Sequence, residues 1–216
     1  MATLAPPKPM TFALDRGRLG MAMLILSESV FFLFLILAYI ILHRHIPAGA
    51  PSARSSLHTG ITAIFTACLL SSSLTLHLAE RALRRAYADA AAPKPSLMAL
   101  YQGAGWLLLT IVLGATFLAG QVHEYYGLYQ HNVGVSRDLF ATSFFTLTGF
   151  HGLHVFIGLV ALTSLTVLVL VGSFRRLPLT ALEAFGWYWH FVDAIWVVLF
   201  SIIYLHALHW LSFGTP

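Results

Sequence analysis

The chain has 216 residues, 58% of them hydrophobic and only 9% charged, with 12 Lys and Arg against 8 Asp and Glu for a net charge of +4. A soluble domain carries about 25% charged residues. So few charged groups cannot cover a globular surface of this size, and their scarcity beside high hydrophobicity is the reverse of a disordered chain. A single cysteine, Cys68, excludes a disulfide framework, a CxxC redox pair and a cysteine cluster.

Composition therefore predicts an all-α, polytopic membrane helix bundle. Five apolar stretches, at about 20–42, 57–79, 100–120, 139–172 and 184–210, can each cross a hydrocarbon core of about 30 Å at 1.5 Å per residue. Only helices and closed barrels satisfy their backbone in lipid, and alternating ten-residue strands are absent. The expected layout is a cytoplasmic tail over 1–19, a five-helix transmembrane domain over 20–212 and an external tail over 213–216. Breaks are expected in HRHIPAGAPSARSS, at Pro93 and Pro95, and in RRLPLT.

The first span carries Glu28. Ionisable groups inside a span cost about 2.5–3.5 kcal/mol on insertion scales and are functional candidates by default. A bare anion is the least favourable state at that depth, so Glu28 is expected to be protonated or hydrogen-bonded. It reads as a proton-exchanging or lipid-facing carboxyl that matters to a neighbouring machine, against the plainer reading of a neutral acid bonded to a nearby helix. In the second span Ala67, Ser71 and Thr75 form a small-residue stripe, as do Ala115 and Ala119 in the third; such faces let helices approach closely. His77 and Glu80 fall at the expected end of the second span, and Tyr125, Tyr126 and Tyr129 cluster beyond the third. The other histidines at span ends and in loops, His123 beside Glu124 among them, read as solvated interfacial residues.

His151 and His154 in GFHGLHVFIG stand three apart in the fourth span. Two histidines on one helix face could ligate a metal or haem. No further ligand follows at helical spacing, HExxH and Glu-x-x-His patterns are missing, and the flanking Gly149, Gly152 and Gly158 mark a helix-packing surface. Hydrogen-bonded packing histidines are the expectation, with no metal site. In the fifth span Trp187, Tyr188 and Trp189 read as lipid or interface anchors. His190 and Asp193, three apart on one turn, are either a proton relay or a buried pair that satisfies itself and fixes helix register; spacing favours the structural pair.

Nine basic residues (Lys8, Arg16, Arg18, Arg81, Arg84, Arg85, Lys94, Arg175 and Arg176) face three (Arg44, Arg54 and Arg137) on the other side. The N-terminus is thus predicted cytoplasmic and the C-terminus outside, and the net charge reflects topology and anionic lipid rather than nucleic acid. No nucleotide loop, nucleophile–base pair or haem box is present, which points to a helper subunit with no catalytic residue of its own. An independent proton-conducting transporter, motivated by Glu28, His190 and Asp193 at similar depth, and a b-type haem protein using His151 are the competing readings.

RLGMAMLILSESVFFLF, GQVHEYYGLY, SFFTLTGFHGLHVFIGL and LEAFGWYWHFVDAIWVVLFSIIYL, in this order, resemble subunit III of the haem-copper terminal oxidases, from about Arg18 onward. The chain is similar to the short five-helix bacterial type that lacks the first two helices. The resemblance implies a multi-pass protein of the bacterial inner membrane in aerobic respiratory electron transport, part of an oxidoreductase and proton translocase. It implies direct packing on subunit I, company with subunit II and other subunits, support of proton uptake and of catalytic-subunit stability, and tightly bound phospholipid. It further implies no cofactor on this chain, with haem and copper held by partner subunits. By motif match Glu28 falls at the family's intramembrane glutamate, and His151, His154, His190 and Asp193 at its signature positions. The lipid-filled cleft of longer members does not carry over intact without the two missing helices, which subunit I either supplies or does not. The donor stays open between cytochrome c and quinol, with SES around Glu28 leaning to cytochrome c, and so does membership of a respiratory supercomplex.

Overall fold

A computed structural model describes residues 16–44, 59–86, 96–130, 139–171 and 179–205. The expected breaks at Pro93, Pro95 and Arg175–Pro178, and most of both tails, lie outside the described residues. Five helices result: α1 (Arg16–Arg44), α2 (Thr59–Ala86), α3 (Leu97–Gln130), α4 (Leu139–Leu170) and α5 (Leu179–Ile203). All five are long and apolar enough to cross a membrane, and no strand occurs among the described residues.

Each helix follows its apolar run, because in lipid a backbone must bond to itself. The ends follow other forces. α2 continues to Ala86 and α3 to Gln130, past the apolar limits near 79 and 120, and α5 begins at Leu179 rather than 184. The added turns carry polar side chains that bond to neighbouring helices, so they extend the bundle instead of ending it.

α2 packs on α3 and α5, and α4 packs on the same two neighbours of α2, so α2 to α5 close a four-helix ring. α1 lies along α4 and α5, outside that ring. It sinks Phe32 and Tyr39 into the core while Met23, Leu26, Leu33 and Phe34 face outward. Leu69, Leu76 and Leu83, seven residues apart on α2, are fully buried and give that helix one continuous inward seam, as in a coiled coil. The expected small-residue stripe of Ala67, Ser71 and Thr75 does not form this seam: Ala67 and Ser71 are exposed, and only Thr75 is buried. A run at i, i+4, i+8 drifts by about 40° per step at 3.6 residues per turn, so its members leave one face quickly.

Trp189 of α5 pins the ring. A Cβ on Gly114 of α3 would come within 2.9 Å of its indole, and one on Gly158 of α4 within 2.8 Å, so the ring fills a socket that two glycines leave open. Its Nε1 donates to Ser72 Oγ of α2 at 2.9 Å. One side chain thereby touches three other helices.

Candidate functional site

The polar groups inside the bundle fall into three levels. At the end where α1 begins, Arg18 of α1 and Arg84 of α2 both donate to the Glu183 carboxylate of α5. Glu80 lies against Gly186 one turn further in. Three helices are tied at one carboxylate, a link legible only once the folding partners are known.

The middle level holds most of the expected site residues. Glu28 Oε2 of α1 meets His154 Nε2 of α4 at 3.1 Å, with the two side chains 31% and 12% exposed. His154 Nδ1 donates to the Phe150 carbonyl at 2.7 Å, since a carbonyl only accepts. Nε2 therefore faces Glu28 either as a lone pair toward a protonated carboxyl or as an N–H toward a carboxylate. In both states the pair shares one proton. Phe31 and Phe32 wall this site, Phe32 lying edge-on to His154 at 5.0 Å, and Tyr188 of α5 donates to the His154 carbonyl at 3.0 Å.

His151, three residues from His154, goes elsewhere. It is fully buried, stacked on Trp196 at 4.8 Å and edge-on to Phe117 at 5.9 Å. Neither ring nitrogen has a hydrogen-bond partner, so the expectation of a hydrogen-bonded histidine describes His154 and not His151. The aromatic rings packed on His151 leave no room for a haem. Among the described residues no group of three or more His, Cys, Asp or Glu side chains is placed to hold a metal.

His190 and Asp193 are joined through a third residue. Ser73 of α2 donates to Asp193 Oδ2, and its oxygen lies 2.8 Å from His190 Nδ1. A hydroxyl has one hydrogen, so the two bonds run in one sense: from His190 through Ser73 to Asp193 when the carboxyl is ionised, and from Asp193 through Ser73 to His190 when it is protonated. Asp193 Oδ1 is buried without a partner.

The three aromatic residues expected as anchors separate. Trp187 is 44% exposed and Trp189 is 1% exposed, while Tyr188 is partly buried and bonded across to α4. Because α5 starts at Leu179, this triplet sits two turns inside the helix, where alternate directions lead to core and surface.

The third level was not singled out by sequence. Glu124 of α3 accepts from Tyr204 at 2.6 Å and from Thr62 of α2 at 3.2 Å. Gln121 Nε2 donates to the Thr148 carbonyl at 2.6 Å and to the Tyr125 hydroxyl at 3.0 Å. Both residues lie past the apolar limit of the third span, and hydropathy alone reads them as interfacial. Their signal was spacing: Gln121, Glu124 and Leu128 recur with helical period on one face.

The arrangement can hold and pass a proton at Glu28 and His154, and it can lock helices together. A sequence model of the family described as cytochrome c oxidase subunit III matches residues 9–208. Cytochrome c oxidase subunit 3 of Synechocystis sp. is 35% identical over 88% of this chain and 76% of its own length. Its counterpart in Thermostichus vulcanus is 34% identical over 87% and 86%. The cytochrome bo(3) ubiquinol oxidase subunit 3 of Pseudomonas aeruginosa is 31% identical over 86% and 83%.

Proposed function

The chain belongs to the cytochrome c oxidase subunit III family, and on that premise we propose that it is the non-catalytic scaffold subunit of a haem-copper oxidase that draws electrons from cytochrome c. It packs on subunit I, which holds the haem and copper, in company with subunit II, and it lies in a bacterial inner membrane with the N-terminus inside and the C-terminus outside. The bias of nine basic residues to three supports that orientation. An apolar groove of about 680 Å³ between α3 and α4, lined by Ile111, Ala115, Phe156 and Val160 among others, suits an acyl chain and supports phospholipid binding.

One observation carries the reading: a carboxyl on α1 and an imidazole on α4 lie 3.1 Å apart, partly open to the outside of the bundle. Such a pair serves a neighbour that consumes protons. Glu28→Gln tests it in the intact oxidase. A glutamine amide still donates to the His154 Nε2 lone pair, so the contact stays while the exchangeable proton goes. Haem content is expected to stay unchanged while sustained turnover or proton uptake at high pH changes. Identical kinetics and lifetime would make Glu28 a packing residue only.

A further inference from the structure

Where α2, α3 and α5 meet at the level of Glu124, the bundle encloses a cavity of about 10 Å³. Phe65, Phe117 and Trp196 supply its apolar walls, and Thr62, Gln121 and Glu124 bring polar side chains to it. Gly120 closes one side, since a Cβ there would collide with Phe65 and the ring therefore lies directly on the α3 backbone. A single water needs about 10–15 Å³ of such space. The cavity is sized for one water and for nothing larger.

Gln121 gives it a chemical purpose. The residue is 6% exposed, and the two ends of its amide are unequally served. Nε2 donates to the Thr148 carbonyl at 2.6 Å and to the Tyr125 hydroxyl at 3.0 Å. Turning the amide over would set its oxygen against that carbonyl, two acceptors face to face, so Thr148 fixes the orientation. Oε1 is then buried with no hydrogen-bond partner in the protein. Leaving such an acceptor dry is costly, and nearly all buried polar groups in native proteins bond to protein or to ordered water.

His151 does not meet the need. Its ring packs on the same Phe117 and Trp196 that wall the cavity, but neither of its nitrogens is bonded. Across the cavity Thr62 donates to Glu124 Oε1 at 3.2 Å, and carboxylate and hydroxyl oxygens have lone pairs for more than one donor. The polar atoms here are acceptors, and a small molecule with two hydrogens suits them.

We infer that this cavity is a binding site for one ordered water, which gives one hydrogen to Gln121 Oε1 and the other to the Thr62–Glu124 pair. The water completes a run of hydrogen bonds from Thr148 of α4 through Gln121 of α3 to Thr62 of α2, so it ties three helices at the level where their apolar runs have ended. The site is made by this chain alone and does not depend on the oxidase reading.

The test is a cryo-electron microscopy map of the intact membrane complex that contains this chain, at a resolution showing ordered waters elsewhere in its core. One isolated peak is expected in the cavity, within about 3.0 Å of Gln121 Oε1 and of an oxygen of Thr62 or Glu124. An empty cavity, a side chain moved into it, a direct bond from protein to Gln121 Oε1, or a metal ion at the peak overturns the site. In Gln121→Leu the peak is expected to be lost while the helices keep their positions. A peak that persists there overturns the assignment to Gln121. The map of the unsubstituted complex decides alone if that variant does not assemble.

Discussion

Trp189 is held by shape on two sides and by a hydrogen bond on a third, and the two contributions can be separated. Because lipid is as apolar as the core, association of these helices rests on packing and interhelical hydrogen bonds. Gly114→Ala drives a methyl into an indole that cannot retreat, since Gly158 and Ser72 fix its other edges. A loss of about 1–3 kcal/mol is expected from overpacking, measured by unfolding in mixed micelles. Ser72→Ala leaves the indole in its socket but removes the acceptor of its Nε1–H, and a smaller loss of about 1 kcal/mol is expected from a bond of this kind in a membrane. The reverse ranking would mean that the socket is loose. His151 and His154 make the same point about individual side chains: three residues apart, one is sealed between aromatic rings and the other shares a proton with Glu28.

α1 is the element with the weakest hold. It lies outside the four-helix ring, and its attachments include Arg18 on Glu183, Glu28 on His154, Phe31 and Phe32 among the aromatic side chains of α4 and α5, and the buried Tyr39. Arg18 is 44% exposed, and ion pairs that open to solvent contribute only about 0.2–1 kcal/mol. Phe32 is 1% exposed. Phe32→Ala is therefore expected to speed amide hydrogen exchange along α1 far more than Arg18→Ala, with α3 unaffected by either. Equal effects would assign the docking of α1 to charge. The helices themselves were legible because an uninterrupted apolar run is a local signal, and Glu28 stood out because a carboxyl inside such a run is rare. Its partner was not legible, since His154 lies 126 residues away and pairing across helices leaves no mark in either segment. Helix ends failed for a related reason: Arg84, Gln121 and Glu124 lower the local hydropathy, yet bonds to neighbouring helices keep their turns inside the bundle. The polar stripe of Thr62, Thr66, Ser73, Glu80 and Arg84 on α2 was readable as a period, but the small-residue stripe beside it drew the eye to the wrong face.

The whole molecule presents unlike surfaces to its surroundings. An apolar groove lies between α3 and α4, a histidine-bearing seam between α2 and α5, and the Glu28–His154 pair beside α1. The role proposed above, which has the chain hold lipid, meet a neighbouring subunit and serve proton exchange, fits such a division. Topology can be checked by a cysteine added after Pro216 in a Cys68→Ser background: labelling by an impermeant reagent from outside intact cells is expected, and labelling only after lysis would invert the orientation. The central claim is that the electron-carrying groups belong to this chain's companions. It is tested most directly by affinity purification through a tag on this chain, with absorption spectra taken before and after dissociation of the complex. Haem absorbance is predicted to accompany the intact assembly and to leave with the other subunits. A stoichiometric haem spectrum retained by the separated chain would contradict the account.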